Sequence, residues 1–278
     1  MKITYLMVAT YILDCVLIRT KPCKYFQLNS PIFNAEKGIF SKIEIDQLIP
    51  EKWRLQQFYD DGVKLPQSYP VFVKPEWGQN SNGIFRADDE ASLQRIRQQV
   101  KSSNRQYLIQ QAATEKLEFE VFSILHDQDK AQYAHLTITQ TINNSESYPV
   151  NGIYNTDTQY REITEQFSEQ QLKDFWALLG EIERFRISRM AIRADSVDDM
   201  LAGRFHIIEI NLFLPMPINM LDKRYDFYDL WKMVRCYMMS LARITKARNK
   251  RLQEKPVFTK NMLYNRSHPI LKFLREKI

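Results

Sequence analysis

Arg193, Asp195, Glu209 and Asn211 lie in "RMAIRADSVDDMLAGRFHIIEIN", two β-prone apolar runs whose short polar connection predicts a hairpin. Side chains alternate along a strand, so Arg193 and Asp195 share one face, while Glu209 and Asn211 share a face with Ile207 and leave Ile208 and Ile210 on the other. Asp, Glu and Asn bring hard oxygen donors. Such donors hold Mg2+, an ion that completes its octahedron with phosphate oxygens and water. The alternative is a solvated face on which Arg193 pairs with Asp195 or Glu209. Against it, "HIIEINLFLPMP" is too apolar for an exposed strand, and acids in a buried sheet need a partner or a metal.

A second group lies more than a hundred residues earlier, in "YPVFVKPEWGQNSNGI". Lys74 follows the apolar residues Val71, Phe72 and Val73, and Pro75 ends the ladder directly after it. A lysine there is either an edge residue reaching for solvent or a fixed cation at the mouth of a site. The loop beyond it, with Gly78, Asn80, Ser81, Asn82 and Gly83, offers backbone N–H groups that can wrap an anion; an ordinary hairpin turn would need fewer polar residues. A cation beside such a nest suits a phosphate.

The elements that must position these groups follow from periodicity. A helix is expected from Pro50 through "EKWRLQQFYDDG", stopped by Gly62, and another over "DDEASLQRIRQQVKSS", where Leu93, Ile96 and Val100 fall at helical spacing. "YLIQQA", "LEFEVFSIL" and "AHLTITQTI" read as strands. "SEQQLKDFWALLGEIERF" reads as a helix capped by Ser168, and "FYDLWKMVRCYMMSLARI" as the last long helix. Helices interleaved with antiparallel strand pairs give an α+β fold rather than a doubly wound sheet. Neither a Walker-type loop nor a G-x-G-x-x-G run occurs.

Composition narrows the class. The chain has 278 residues, 44% of them hydrophobic, enough for a packed core of one large domain or two to three small lobes. Cys15, Cys23 and Cys236 lack metal or disulfide spacing, which points to a reducing cytoplasm. Residues 3–18 form an apolar run too short for a comfortable membrane span and interrupted by Asp14. They are expected to form a buried or interface helix, in preference to an anchor on a membrane surface. The net charge of +6 is a mild excess that suits phosphate-bearing ligands. No clustering of basic and aromatic residues supports nucleic-acid binding. The basic run "KARNKR" is expected to be a solvated helix end.

In chain order, a lysine-proline strand end, a Ser-x-Gly-Ile loop, "EFEV", Arg-x-Asp and Glu-x-Asn resemble the ATP-grasp superfamily, and most nearly its D-alanine-D-alanine ligase branch, over residues 50–241. The resemblance implies two α+β lobes clasping ATP. A shortened helical segment, residues 1–45, then stands where the family has a front domain. Within 46–278, about residues 66–125 would form the small nucleotide-binding lobe, 126–245 the metal-binding lobe and 246–278 a basic tail. ATP and Mg2+ (or Mn2+) are the implied cofactors. Lys74 and Arg193 would be catalytic, with Lys52, Lys74, Ser81, Gly83, Gln110, Gln111, Ala113 and Glu118 around the nucleotide. Asp195, Glu209 and Asn211 would hold the metal. The implied reaction is ATP-dependent joining of a small carboxylic acid or amino acid to an amine; the alternative is a non-catalytic ATP-binding or scaffold protein, membrane-associated or not. Pairing of two copies through residues 3–18 would fill the space of the missing domain. The chain departs from the pattern at Gln110, where an acid is common, between residues 131 and 172, where Arg161 replaces a lysine, and at "LFLPMPINM", which implies a different acceptor pocket.

Overall fold

The computed structural model describes residues 2–78, 81–103, 105–129, 131–152, 154–248 and 254–260. In chain order its elements are α1 (Lys2–Leu17), α2 (Lys42–Asp46), β1 (Gln57–Tyr59), β2 (Val71–Pro75), β3 (Phe85–Ala87), α3 (Glu90–Val100), β4 (Tyr107–Gln111) and β5 (Leu117–Leu125). There follow β6 (Tyr133–Ile142), β7 (Gln159–Glu162), α4 (Glu169–Leu178), β8 (Ile187–Ala194), α5 (Val197–Leu201), β9 (His206–Asn211) and α6 (Phe227–Lys246). They build two antiparallel sheets, of order β1-β4-β2-β3 and β7-β6-β5-β8-β9.

Local chemistry sets the helix starts. The Asp89 carboxylate accepts from the Ser92 N–H at 2.7 Å to begin α3, and Ser168 with Gln171 forms a reciprocal capping box at α4. α3 turns Leu93 and Ile96 onto Val71, Val73 and Ile109 to make the small lobe's core. The larger core joins Phe119, Val121, Ile138 and Ile192 of the five-stranded sheet with Phe175 of α4 and Val234 and Leu241 of α6.

The N-terminal segment belongs to that larger core. α1 packs along α6, where buried Asp14 meets Arg235 at 3.1 Å and the Tyr11 hydroxyl meets Thr245 at 3.0 Å. Its other face exposes Tyr5, Val8, Ile12 and Val16. No helix among the described residues is long and apolar enough to cross a membrane.

Two expectations change. The helix from Pro50 is absent: residues 51–53 make one 3-10 turn and the chain then extends into β1. Trp53 is wholly buried, stacks on Phe205 and donates its indole N–H to the Gly203 carbonyl at 2.8 Å. That anchor holds the segment against the β8–β9 hairpin, and tertiary contact overrides helix propensity. β5, expected in the small lobe, pairs with β6 and β8 in the five-stranded sheet. The hairpin connection also contains α5. Most of the basic tail lies outside the described residues.

Candidate functional site

A cleft opens between the two sheets, lined by Lys74 and Gln110 from the small sheet and by Glu118, Glu120, Arg189 and Glu209 from the large one. Lys74 is the next-to-last residue of β2 and is only 4% exposed. Its ammonium donates to Gln110 Oε1 at 2.9 Å and to the Ile208 carbonyl at 3.4 Å, while Gln110 Nε2 donates to the same carbonyl at 3.0 Å. A bulge in β9 frees that carbonyl: Ala191 pairs with Glu209 and Ile192 with Ile207, so Ile208 is left without a cross-strand partner. The bulge also breaks the expected alternation, and Ile208 lines the cleft beside Glu209. Burial, reinforced by the charge of Lys42, lowers the Lys74 ammonium to about 7, with Glu209 and Asp46 opposing.

On the large sheet, β5, β8 and β9 present a row. Glu120 lies opposite Ala191, and Ala191 opposite Glu209. One step along, Arg189 lies opposite Asn211. Burial pushes the Glu209 carboxyl up, but Lys42, Lys74 and a 2.8 Å hydrogen bond from Asn211 Nδ2 outweigh it and bring it to about 2. Glu118 goes the other way, to about 7, through burial and its neighbour Glu120. Asn151 Nδ2 donates to it at 3.0 Å. Glu120 meets Arg189 Nε at 3.2 Å, and burial raises its carboxyl too.

The expected site residues divide. Lys74, Ser81, Gln110, Gln111, Ala113, Glu118, Arg193, Glu209 and Asn211 all line the cleft. Ser81 has a positive φ of 57° and donates its hydroxyl to the Asn151 carbonyl, tying the loop to the Glu118 side. Gly83 supports from behind, at φ 78° beneath Arg105 and Tyr107. Asn80 lies outside the described residues. Arg193 directs its terminal nitrogens at the carbonyls of Ala113 (3.4 Å) and Lys116 (3.5 Å), bracing the strand-to-strand connection.

Two expected residues lie elsewhere. Asp195 is exposed, one residue past the end of β8, and roughly 13 Å along the strand from Ala191. It therefore does not join Glu209 and Asn211. Lys52 pairs with Glu181 at 2.7 Å beyond the end of α4 and lies over the Trp53 ring, away from the cleft. The lysine that does reach the cleft is Lys42, unforeseen from sequence. Its ammonium is 3.7 Å from Glu209 and 3.4 Å from the Gly78 carbonyl it donates to. Ser41 caps α2, and Glu76 fixes the segment by accepting from Lys37 (2.8 Å), Tyr59 (2.9 Å) and the Ser41 hydroxyl. Arg189 and Glu120 were readable as same-face partners of Arg193 and Glu118; Lys42 carried no such signal.

Among the described residues, no three His, Cys, Asp or Glu side chains surround a common metal position. Glu209 and Asn211 remain as adjacent oxygen donors, a set that fits one hard cation completed by phosphate oxygens.

No protein-family model and no curated protein matches the chain. Solved structures do. VanG D-Ala:D-Ser ligase from Enterococcus faecalis matches with a TM-score of 0.50 at 11% identity, over 78% of this chain and 70% of that one. L-amino acid ligase from Bacillus licheniformis matches with a TM-score of 0.45 at 15% identity, over 79% of this chain and 50% of that one. D-alanine–D-alanine ligase from Bacillus anthracis, complexed with ATP, gives 0.45 at 14% identity, over 74% and 67%. This chain thus spans half the length of the L-amino acid ligase. The fold, α+β with two antiparallel sheets, is that of the ATP-grasp ligases.

Proposed function

We propose that this chain, folded like the ATP-grasp ligases, binds ATP between its two sheets and uses it to join a small carboxylic acid or amino acid to an amine. The observation that carries the reading is the meeting of Lys74 and Lys42 with Glu209 and Asn211 in one cleft. Four cationic side chains, Lys42, Lys74, Arg189 and Arg193, line it against three glutamates, a balance suited to a polyanion.

In this reading Lys74 and Lys42 bind the phosphate chain, and the loop at Ser81 covers it. Glu118 receives the ribose hydroxyls, while Gln111 and Ala113 border the base. Glu209 and Asn211 would hold Mg2+, which when bound neutralises phosphate charge. The acid's carboxylate attacks the γ-phosphorus, the bond to the bridging oxygen breaks, and ADP leaves. Arg189, which holds one backbone carbonyl, that of Met216, where Arg193 holds two, steadies the acyl phosphate. The amine then attacks the acyl carbon and phosphate departs. Fixed donors of this kind are each worth about 3–4 kcal/mol of barrier. Phe213, Leu214, Pro215 and Met216 border the acceptor end, and their apolar character supports an acceptor with a hydrophobic side chain.

A non-catalytic ATP-binding protein is the second reading, favoured by Ala191, which stands opposite Glu209 where a further carboxylate donor would sit. One assay separates the two. ADP and phosphate release is followed with ATP, Mg2+ and pooled amino acids, in native protein and Asn211→Ala. Release that depends on an added amine and is lost in the variant supports the ligase; ATP binding without such release in any pool supports the second reading.

A further inference from the structure

Glu120, Ala191 and Glu209 occupy directly opposed positions on three neighbouring strands, β5, β8 and β9. Adjacent strands lie about 4.8 Å apart, so two glutamates flank a methyl group with no larger side chain between them. Glu209 already shares its single charge with Lys42 and Lys74, and Asn211 adds none. A second carboxylate would balance the charge of a divalent cation here more fully than Glu209 and Asn211 alone.

Glu120 has one to give. Although Arg189 Nε lies 3.2 Å from Glu120 Oε2, neither atom makes a hydrogen bond, and both are buried. The pair lacks the aligned geometry that makes an arginine–carboxylate contact strong. Arg189 has a second acceptor, the Met216 carbonyl at 3.5 Å, so it keeps a partner when Glu120 turns away.

Resting on the nucleotide reading above, we propose that Glu120 is the third protein donor to the divalent cation held by Glu209 and Asn211. It reaches across Ala191 from β5, two strands away from β9.

The test measures Mn2+ bound to the full chain by electron paramagnetic resonance, in the presence of a non-hydrolysable ATP analogue. Analogue binding in EDTA is measured in parallel by displacement of a fluorescent nucleotide. Glu120→Gln, of nearly the same shape, is expected to weaken Mn2+ binding at least roughly tenfold. Ala191→Asp added to Glu120→Gln is expected to restore it. Loss of a merely structural contact with Arg189 would not be rescued by a carboxylate at position 191, and thermal midpoints identify any variant that fails to fold. Mn2+ affinity within twofold of native in Glu120→Gln overturns the proposal, as does failure of the rescue in a folded double variant. A native chain that binds the analogue but gathers no Mn2+ overturns it while leaving the nucleotide reading intact. A native chain that binds no analogue in any condition overturns both.

Discussion

The two walls of the cleft differ in how their polar groups are satisfied. On the small sheet Lys74 and Gln110 hydrogen-bond to each other and to the bulged Ile208 carbonyl. On the large sheet Glu120 Oε2, Arg189 Nε, Arg193 Nε and Thr141 Oγ1 are buried without a hydrogen-bond partner. Each such orphan costs about 1–3 kcal/mol, and a fold keeps several together when a ligand is to satisfy them. The small-sheet wall is therefore preorganised, whereas the large-sheet wall is completed by what binds. Under the proposed function, the first wall would anchor the nucleotide and the second would select metal and substrate.

The largest expected effect tests the anchoring side. Lys74→Met removes a cation already held in place, and ATP affinity is expected to fall by about 100-fold or more, read by titration calorimetry. A loss under threefold would break the comparison, since the small sheet would then be scaffold alone. Lys42→Ala should cost less, roughly tenfold, because this lysine is part-exposed and screened. An effect of Lys42→Ala larger than that of Lys74→Met would reverse the ranking of the two lysines.

A pH experiment sharpens the same contrast. In the free protein Lys74 titrates at about 7, so at pH 8.5 it is mostly neutral. A bound phosphate favours the ammonium and returns its pKa toward the ordinary lysine range. Binding at pH 8.5 should thus take up close to one proton, and Lys74 should contribute none at pH 6, where it is already charged. Glu118, at about 7, is ionised at pH 8.5 and adds nothing to the uptake there. Calorimetry in buffers of different ionisation enthalpy reads the proton count, and no uptake at pH 8.5 would remove Lys74 from the phosphate.

Much of this arrangement is legible in the amino-acid order, and the parts that are not have physical causes. The "VFVKP" strand end, the "EFEV" alternation and the Ser168 cap appear as periodicity and capping dictate. Asp195 was misplaced because one bulge at Ile208 and the inserted α5 change which β8 residue faces Glu209; alternation counted along each strand cannot reveal a slip between strands. Lys52 was misplaced because the burial of Trp53 is a long-range contact with Gly203 and Phe205. Lys42 was missed for the same kind of reason: its place depends on Glu76 and Ser41, which meet only in the folded chain.

The smallest expected effect is also the sharpest check on that account. Asp195→Asn and Lys52→Ala alter residues that sequence alone put in the site, yet one lies past the end of β8 and the other pairs on the surface with Glu181. Neither touches a wall of the cleft, and an exposed ion pair such as Lys52–Glu181 contributes under about 1 kcal/mol. Both variants should keep ATP affinity within twofold of native and thermal midpoints within a few degrees. Asn211→Ala, by contrast, removes the donor that holds Glu209 at 2.8 Å and should weaken Mn2+ binding by about tenfold. If Asp195→Asn instead matched Asn211→Ala in its effect on Mn2+, the register that puts Ala191 opposite Glu209 would not be the one the protein uses when it binds its ligand. The large-sheet wall would then have to slide along β8 on binding, while the small-sheet wall stayed fixed.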